Sequence, residues 1–185
     1  MPTPSPFSRR SFLATCAAAG CAVATSGCSG SSAADRQLVF ATLADALRQL
    51  DLAKTATALS PAASWTWSKT LLHCAQSIEY SMTGYPEARS ALFQHTAGSV
   101  AFSYFKSRGR MSHNLLEAIP GAASLDANAA STVADAALRK AIENFEAHNG
   151  KLHPHFAYGE LTKAEYEQAH AMHIANHMSA FELKA

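Results

Sequence analysis

A chain of 185 residues is long enough for one ordinary domain with a real core, and too short for two unless both are minimal. Hydrophobic residues make up 48% and charged residues 16%, which fits a soluble globular protein and excludes a disordered chain. A formal net charge of +1 excludes bulk electrostatic attraction to nucleic acid, so no nucleic-acid partner is expected.

The N-terminal segment Ser8-Arg9-Arg10-Ser11-Phe12-Leu13 has the pattern of a twin-arginine export signal, with Arg9 and Arg10 preceding a modest, alanine-rich apolar run from Phe12 to Ala24. That run falls short of the about 20 strongly apolar residues that a membrane span needs. Residues 1–27 are therefore read as a signal peptide, residues 28–34 as a flexible tether and residues 35–185 as the folded domain. The twin-arginine translocase is the expected partner during export, and the periplasm or cell envelope the expected location. Thr25-Ser26-Gly27-Cys28 resembles a lipoprotein box in which Cys28 carries a lipid anchor. A box ending at Cys21 and ordinary cleavage after small residues are the alternatives. Loss of residues 1–27 removes Arg9 and Arg10 and no acid, taking the charge from +1 to −1. Once Cys16 and Cys21 have left and Cys28 is modified, Cys74 is the remaining free thiol, and no intramolecular disulfide is expected.

From Asp35 onward apolar residues recur every three or four positions and no convincing strand is apparent, so the fold class is all-α. The first helix is expected from about Asp35 to Leu50, ahead of the break at Ser60-Pro61. The second starts near Trp65 or Trp67 and continues through Tyr80 with an apolar stripe of Trp67, Leu71, Cys74 and Ile78, ending at Gly84-Tyr85-Pro86. The third covers about Glu87 to Ser107, with Leu92, Phe93, Thr96, Val100, Tyr104 and Phe105 as expected core contacts, and a loop with Pro120-Gly121 follows. The fourth spans about Ser131 to His148, carrying Val133, Ala137, Ile142 and Phe145, before the stop at Asn149-Gly150. After a loop rich in His and aromatic residues, the fifth starts at Thr162, whose spacing to Glu165 is that of a capping box, and runs to about Leu183. Amphipathic helices of this kind must share a core, which predicts a helical bundle.

The residues with most chemical content lie in His170-Ala171-Met172-His173-Ile174-Ala175-Asn176-His177. Residues four apart on a helix lie one turn along the axis and on nearly the same face, so His173 and His177 can address one metal ion. Tyr166, Ala169 and Phe181 share that arc, which makes it the buried side, where unpaired imidazoles are costly and a shared metal removes the cost. A pair hydrogen-bonded at the rim of the bundle is the alternative. His170 points in a slightly different direction. His73, in the middle of the second helix beside Thr70, Ser77 and Tyr80, is the best candidate for a third ligand. In the loop, His153-Pro154-His155-Phe156 offers a further imidazole, His153, as acid, base or partner of a ligand, with a surface loop histidine as the alternative, and Glu79 and Glu165 are candidate bases with simpler readings as a surface charge and a cap. Cys74 lies on the apolar stripe and reads as an inert buried thiol.

Trp67-Ser68-Lys69-Thr70-Leu71-Leu72-His73, then Ile78-Glu79-Tyr80-Ser81-Met82-Thr83-Gly84-Tyr85-Pro86, then His153-Pro154 ahead of His173 and His177, resemble a bacterial branch of the DinB/YfiT-like superfamily. The resemblance spans nearly all of the chain after the signal. It implies a four-helix bundle with an additional helical segment, and a divalent metal, zinc, nickel or iron, on His73, His173 and His177, with His153, His170, Tyr80 and Glu79 as candidates for the surrounding contacts. Asn176 and Ala180 depart from that branch, where His and Gln are frequent. Three imidazoles leave a coordination position for water or a small-molecule substrate. The resemblance thus implies metal-dependent hydrolysis or thiol transfer, and homodimers as in relatives. A non-enzymatic, lipid-tethered module that binds a metal or ligand is the alternative.

Overall fold

In a computed structural model of the chain, residues 35–59 and 65–184 are described. The twin-arginine segment, Cys28 and the Ser60-Pro61 break lie outside these residues. What is described is mostly helical.

The first helix, α1 (Leu43–Lys54), starts later than its apolar pattern suggests. The Asp45 carboxylate accepts hydrogen bonds from the backbone N–H groups of Ala41 and Thr42, both at 2.9 Å, which satisfies donors that a helix start leaves orphaned and fixes the start after Thr42. Residues 35–42 are non-helical and dock elsewhere. The Arg36 N–H donates to the Ser179 carbonyl at 2.9 Å and its guanidinium to the Met178 carbonyl at 3.1 Å. The Leu38 N–H donates to Ser179 Oγ at 2.9 Å. A cation and two donors thus meet the end of the last helix, where carbonyls lack intrahelical partners.

The strand β1 (Thr57–Leu59) follows. Helix α2 (Trp67–Thr83) is opened by Thr66, whose hydroxyl accepts from the Lys69 N–H, and closed by Gly84 at φ 101°, a backbone conformation that favours glycine. The short α3 (Ala91–Phe93) runs through a π-helical stretch at Gln94–Gly98 into α4 (Ser99–Arg108). The expected face of this segment is corrected: Leu92, Val100 and Tyr104 are 75%, 69% and 54% exposed, while Phe102 is buried. The Ser99 N–H reaches back to the Gln94 carbonyl, five residues away, so the wider turn rotates Val100 and Tyr104 relative to a regular helix, whereas Leu92 precedes the turn and sits on the exposed short α3. The wide turn also brings Gly98 against the loop that precedes the last helix, where a Cβ on Gly98 would fall 1.9 Å from the Ala157 carbonyl oxygen.

Helix α5 (Ser131–Ala147) buries Ala134, Leu138, Ala141, Ile142 and Phe145, with Val133 exposed rather than in the core. Helix α6 (Lys163–Ser179) begins with the expected capping box between Thr162 and Glu165. It stops at Ser179, short of Leu183, because residues Glu182–Lys184 form a strand, β2, antiparallel to β1 with Ala58 opposite Leu183. Helix α5 packs along α2, α1 along α6, and α2 against α6. One core joins Leu43, Ala46 and Leu50 of α1 with Leu71, Cys74 and Ile78 of α2, Leu138 and Ile142 of α5, and Tyr166, Ile174 and Met178 of α6. Each such aliphatic side chain contributes roughly 1.5–3 kcal/mol by leaving water. Phe102, Met111, Ala169 and Met172 form a smaller, separate cluster.

Candidate metal centre

Packing of α2 on α6 brings His73 beside His173 and His177. Their ring nitrogens include a set lying within 4.8 Å of one another. Ring centroids are 5.1 Å apart for His73 and His173, 4.7 Å for His73 and His177, and 4.7 Å for His173 and His177. An imidazole bound at 2.0–2.1 Å through nitrogen has its centroid about 3 Å from the ion, so tetrahedrally placed rings have centroids about 5 Å apart. The observed spacing fits that arrangement.

The donors are in the right state. His73 and His177 are buried, and His73 Nδ1 and His177 Nε2 have no hydrogen-bond partner. Burial lowers the pKa of His73 to about 4, with His113 and Lys69 adding to the shift, and holds His173 and His177 well below the ordinary histidine value. All three are therefore neutral at pH 7, with lone pairs available. Buried imidazole nitrogens left unpaired cost free energy, and neutral imidazoles are ligands that zinc, nickel and ferrous iron accept. The residues present fit a divalent ion.

Trp65 forms a lid on this cluster. Its ring stands edge-on to His73 at 5.0 Å and stacks over His177 at 6.2 Å and 12°, with Lys69 Nζ 4.4 Å from its centroid. Of the tryptophan pair, it is Trp67 that packs on the core, edge-on to Phe181 at 5.0 Å.

A fourth imidazole, His113, lies against the cluster, with centroids 5.1 Å from His173 and 5.0 Å from His177. Sequence reasoning passed it over because it belongs to no helix and shares no spacing with the others. The available signal was a histidine two residues after Met111 in an irregular stretch, residues 110–130, far longer than ordinary helix connections.

A cavity of about 280 Å³ adjoins the cluster. His73, His113 and His173 line it together with Phe93, Met111, Ile119, Phe156 and Tyr158. Arg89 and Glu117, paired at 3.6 Å and both exposed, also line it. Small-molecule sites have this make-up, mostly apolar with a few convergent polar groups.

The remaining candidates fall in different places. His170 is buried between Tyr166, stacked at 5.3 Å, and Phe145, edge-on at 5.2 Å, and lines the cavity. His153 is exposed and Glu79 is exposed, so neither side chain joins the cluster, and Tyr80 turns its ring toward Tyr85 at 5.8 Å. The loop motif supplies His155 instead, buried, stacked on Tyr158 at 4.2 Å and lining the cavity. Its Nδ1 accepts from the N–H groups of Ala157 and Tyr158, which fixes the ring and its tautomer. Glu165 is a cap, bonded to Thr162 and to Lys106, which with the Thr162 backbone brings its pKa down to about 2. Cys74 is buried among apolar groups that push its thiol pKa up, and it is unreactive there.

Fold and site together define a mostly helical protein with a cluster of neutral histidines beside a mostly apolar cavity. Residues 32–184 match a family described as a protein family of unknown function, DUF1569, and the chain belongs to that family. No curated protein and no solved structure matches it.

Proposed function

We propose that this chain is an exported metal-dependent enzyme of the DinB-like type. In this reading α1, α2, α5 and α6 are the four-helix bundle, the segment from α3 to α4 is the additional helical element, and His73, His173 and His177 hold one divalent ion. The observation that carries it is the convergence of three neutral imidazoles, from two helices, beside a cavity large enough for a small molecule. A bound zinc, nickel or ferrous ion supplies Lewis acidity at that point. The chain's own residues do the rest: α2 and α6 fix the ligands, Trp65 covers them, and the apolar walls exclude water and orient a substrate. Hydrolysis is preferred over thiol transfer, because the low-molecular-weight thiols used in such transfers are cytoplasmic and the twin-arginine segment directs this chain outward. That pathway carries folded proteins, which is consistent with metal loading before export, and Cys28 is the proposed lipid anchor.

Elemental analysis of the purified protein tests the reading. Near-stoichiometric metal that disappears in His73→Ala and His177→Ala is expected. A folded wild-type protein that contains none and takes up no added zinc, nickel or iron overturns it. A second reading, a non-enzymatic metal- or ligand-binding envelope protein, is favoured by one observation: the fourth imidazole of His113 against the cluster. Export is tested by fractionating cells that carry the chain with Arg9→Lys and Arg10→Lys. Retention in the cytoplasm is expected, and unchanged export overturns the assignment.

A further inference from the structure

His113 does more than fill space beside the cluster. Its Nδ1 lies 3.0 Å from the Asn114 carbonyl oxygen. A carbonyl only accepts, so Nδ1 carries the ring proton, and in a neutral imidazole the lone pair is then on Nε2. His113 Nε2 is buried and has no hydrogen-bond partner. A carbonyl bond at one ring nitrogen with the other left free is the arrangement found at metal-ligating histidines. The centroid distances of 5.1 Å to His173 and 5.0 Å to His177 match those within the set of three, and His113 stands just outside the group of nitrogens that lie within 4.8 Å of one another.

The chain is built to hold the ring there. Helix α4 ends at Gly109, in the left-handed region at φ 61°, and the chain turns back. Met111 then buries its side chain against Phe102, Ala169 and Met172, which sets the backbone down beside α6. Farther on, the irregular stretch is tied to α2 by Gln76, whose amide donates to the Ala123 carbonyl at 3.2 Å, and to the start of α2 by Thr66 Oγ1, which donates to the Ala127 carbonyl at 3.0 Å.

From this geometry we infer that His113 is a fourth protein ligand of the metal, supplied by the connection between α4 and α5. The inference rests on the metal-centre reading above and changes what that centre is. A bound ion would be held by His73, His173 and His177 and would take His113 as a fourth imidazole once that ring moves in from beside the set, and a small ligand would compete with His113, the one imidazole carried by a loop instead of a helix.

Cobalt(II), whose visible absorption reports ligand number and type, tests this in the purified full chain. In His113→Ala the visible bands shift, cobalt affinity measured against a competing chelator falls at least about 10-fold, and free imidazole restores the wild-type spectrum. In His113→Asp cobalt is retained with an altered spectrum, because a carboxylate oxygen replaces the ring nitrogen. Azide perturbs the His113→Ala spectrum at lower concentration than the wild-type one. His95→Ala, an exposed histidine elsewhere, changes none of these. If His113→Ala and His113→Asp keep the wild-type spectrum and affinity while His177→Ala loses cobalt, His113 is not a ligand and the three-histidine reading stands. If the wild-type protein takes up no cobalt, both readings are overturned.

Discussion

His173 and His177 stand one turn apart on α6 with ring centroids 4.7 Å apart and planes at 87° to each other. Rings set edge to face in this way can aim nitrogens at a common point that neither fills alone. Binding an ion there stabilises the folded state only. At a free metal concentration about 100 times the dissociation constant the gain is about 2.7 kcal/mol. For a domain of this size that raises Tm by roughly 5–10 °C. Thermal melts of chelator-treated protein with and without zinc should show the rise in the wild type and lose it in His173→Ala.

Acid should destabilise the metal-free protein well before its carboxylates titrate. Burial lowers the pKa of His170 to about 3, and burial together with His170 lowers that of His155 to about 3, against an ordinary value of 6.5. Below pH 6.5 the unfolded chain takes up protons that the folded chain refuses, so stability is full above that pH and falls as pH drops toward 3. Each group contributes a slope of at most about 1.4 kcal/mol per pH unit in that window. Urea denaturation at pH 7, 6 and 5 should show the decline, and His170→Gln should have a shallower slope.

Gly98→Ala tests the wide turn between α3 and α4. The added methyl collides with the Ala157 carbonyl, which is backbone and cannot swing aside. Overpacking of this kind costs about 1–3 kcal/mol. A Tm unchanged within about 1 °C would show that the loop carrying His155 yields freely.

Thr162→Ala removes the cap of the helix that bears three of the histidines. Its hydroxyl bonds the Glu165 N–H at 3.2 Å, and the Glu165 carboxylate returns to the Thr162 N–H at 3.0 Å. A loss of about 1 kcal/mol is expected in denaturant titration. Glu165→Gln should weaken the acid dependence at low pH only: the Glu165 pKa is depressed, so its contribution is present above pH 4.5 and is lost as pH falls toward 2.

Much of this was legible in the residues. The stripe of Leu71, Cys74 and Ile78, the Thr162 box and the pairing of His173 with His177 are local patterns, and local patterns survive folding. His73 was placed by its position beside the apolar stripe. What escaped detection is non-local or aperiodic. The β1–β2 ladder has three residues on each side, too few for alternation to register, and pairs residues over a hundred positions apart. The outer face of α4 was misread because a single wide turn shifts the helical phase. His113 reaches the cluster from an irregular stretch anchored by the packing of Met111, which no spacing rule encodes.

The contacts of Arg36 and Leu38 with Met178 and Ser179 also set an order of events. In synthesis the first pair emerges 141 to 142 residues before the second, so the final turn of α6 is fastened by a segment made long before it. His177 lies one residue before Met178. The histidine cluster therefore cannot be fastened at this end before residue 179 has been made.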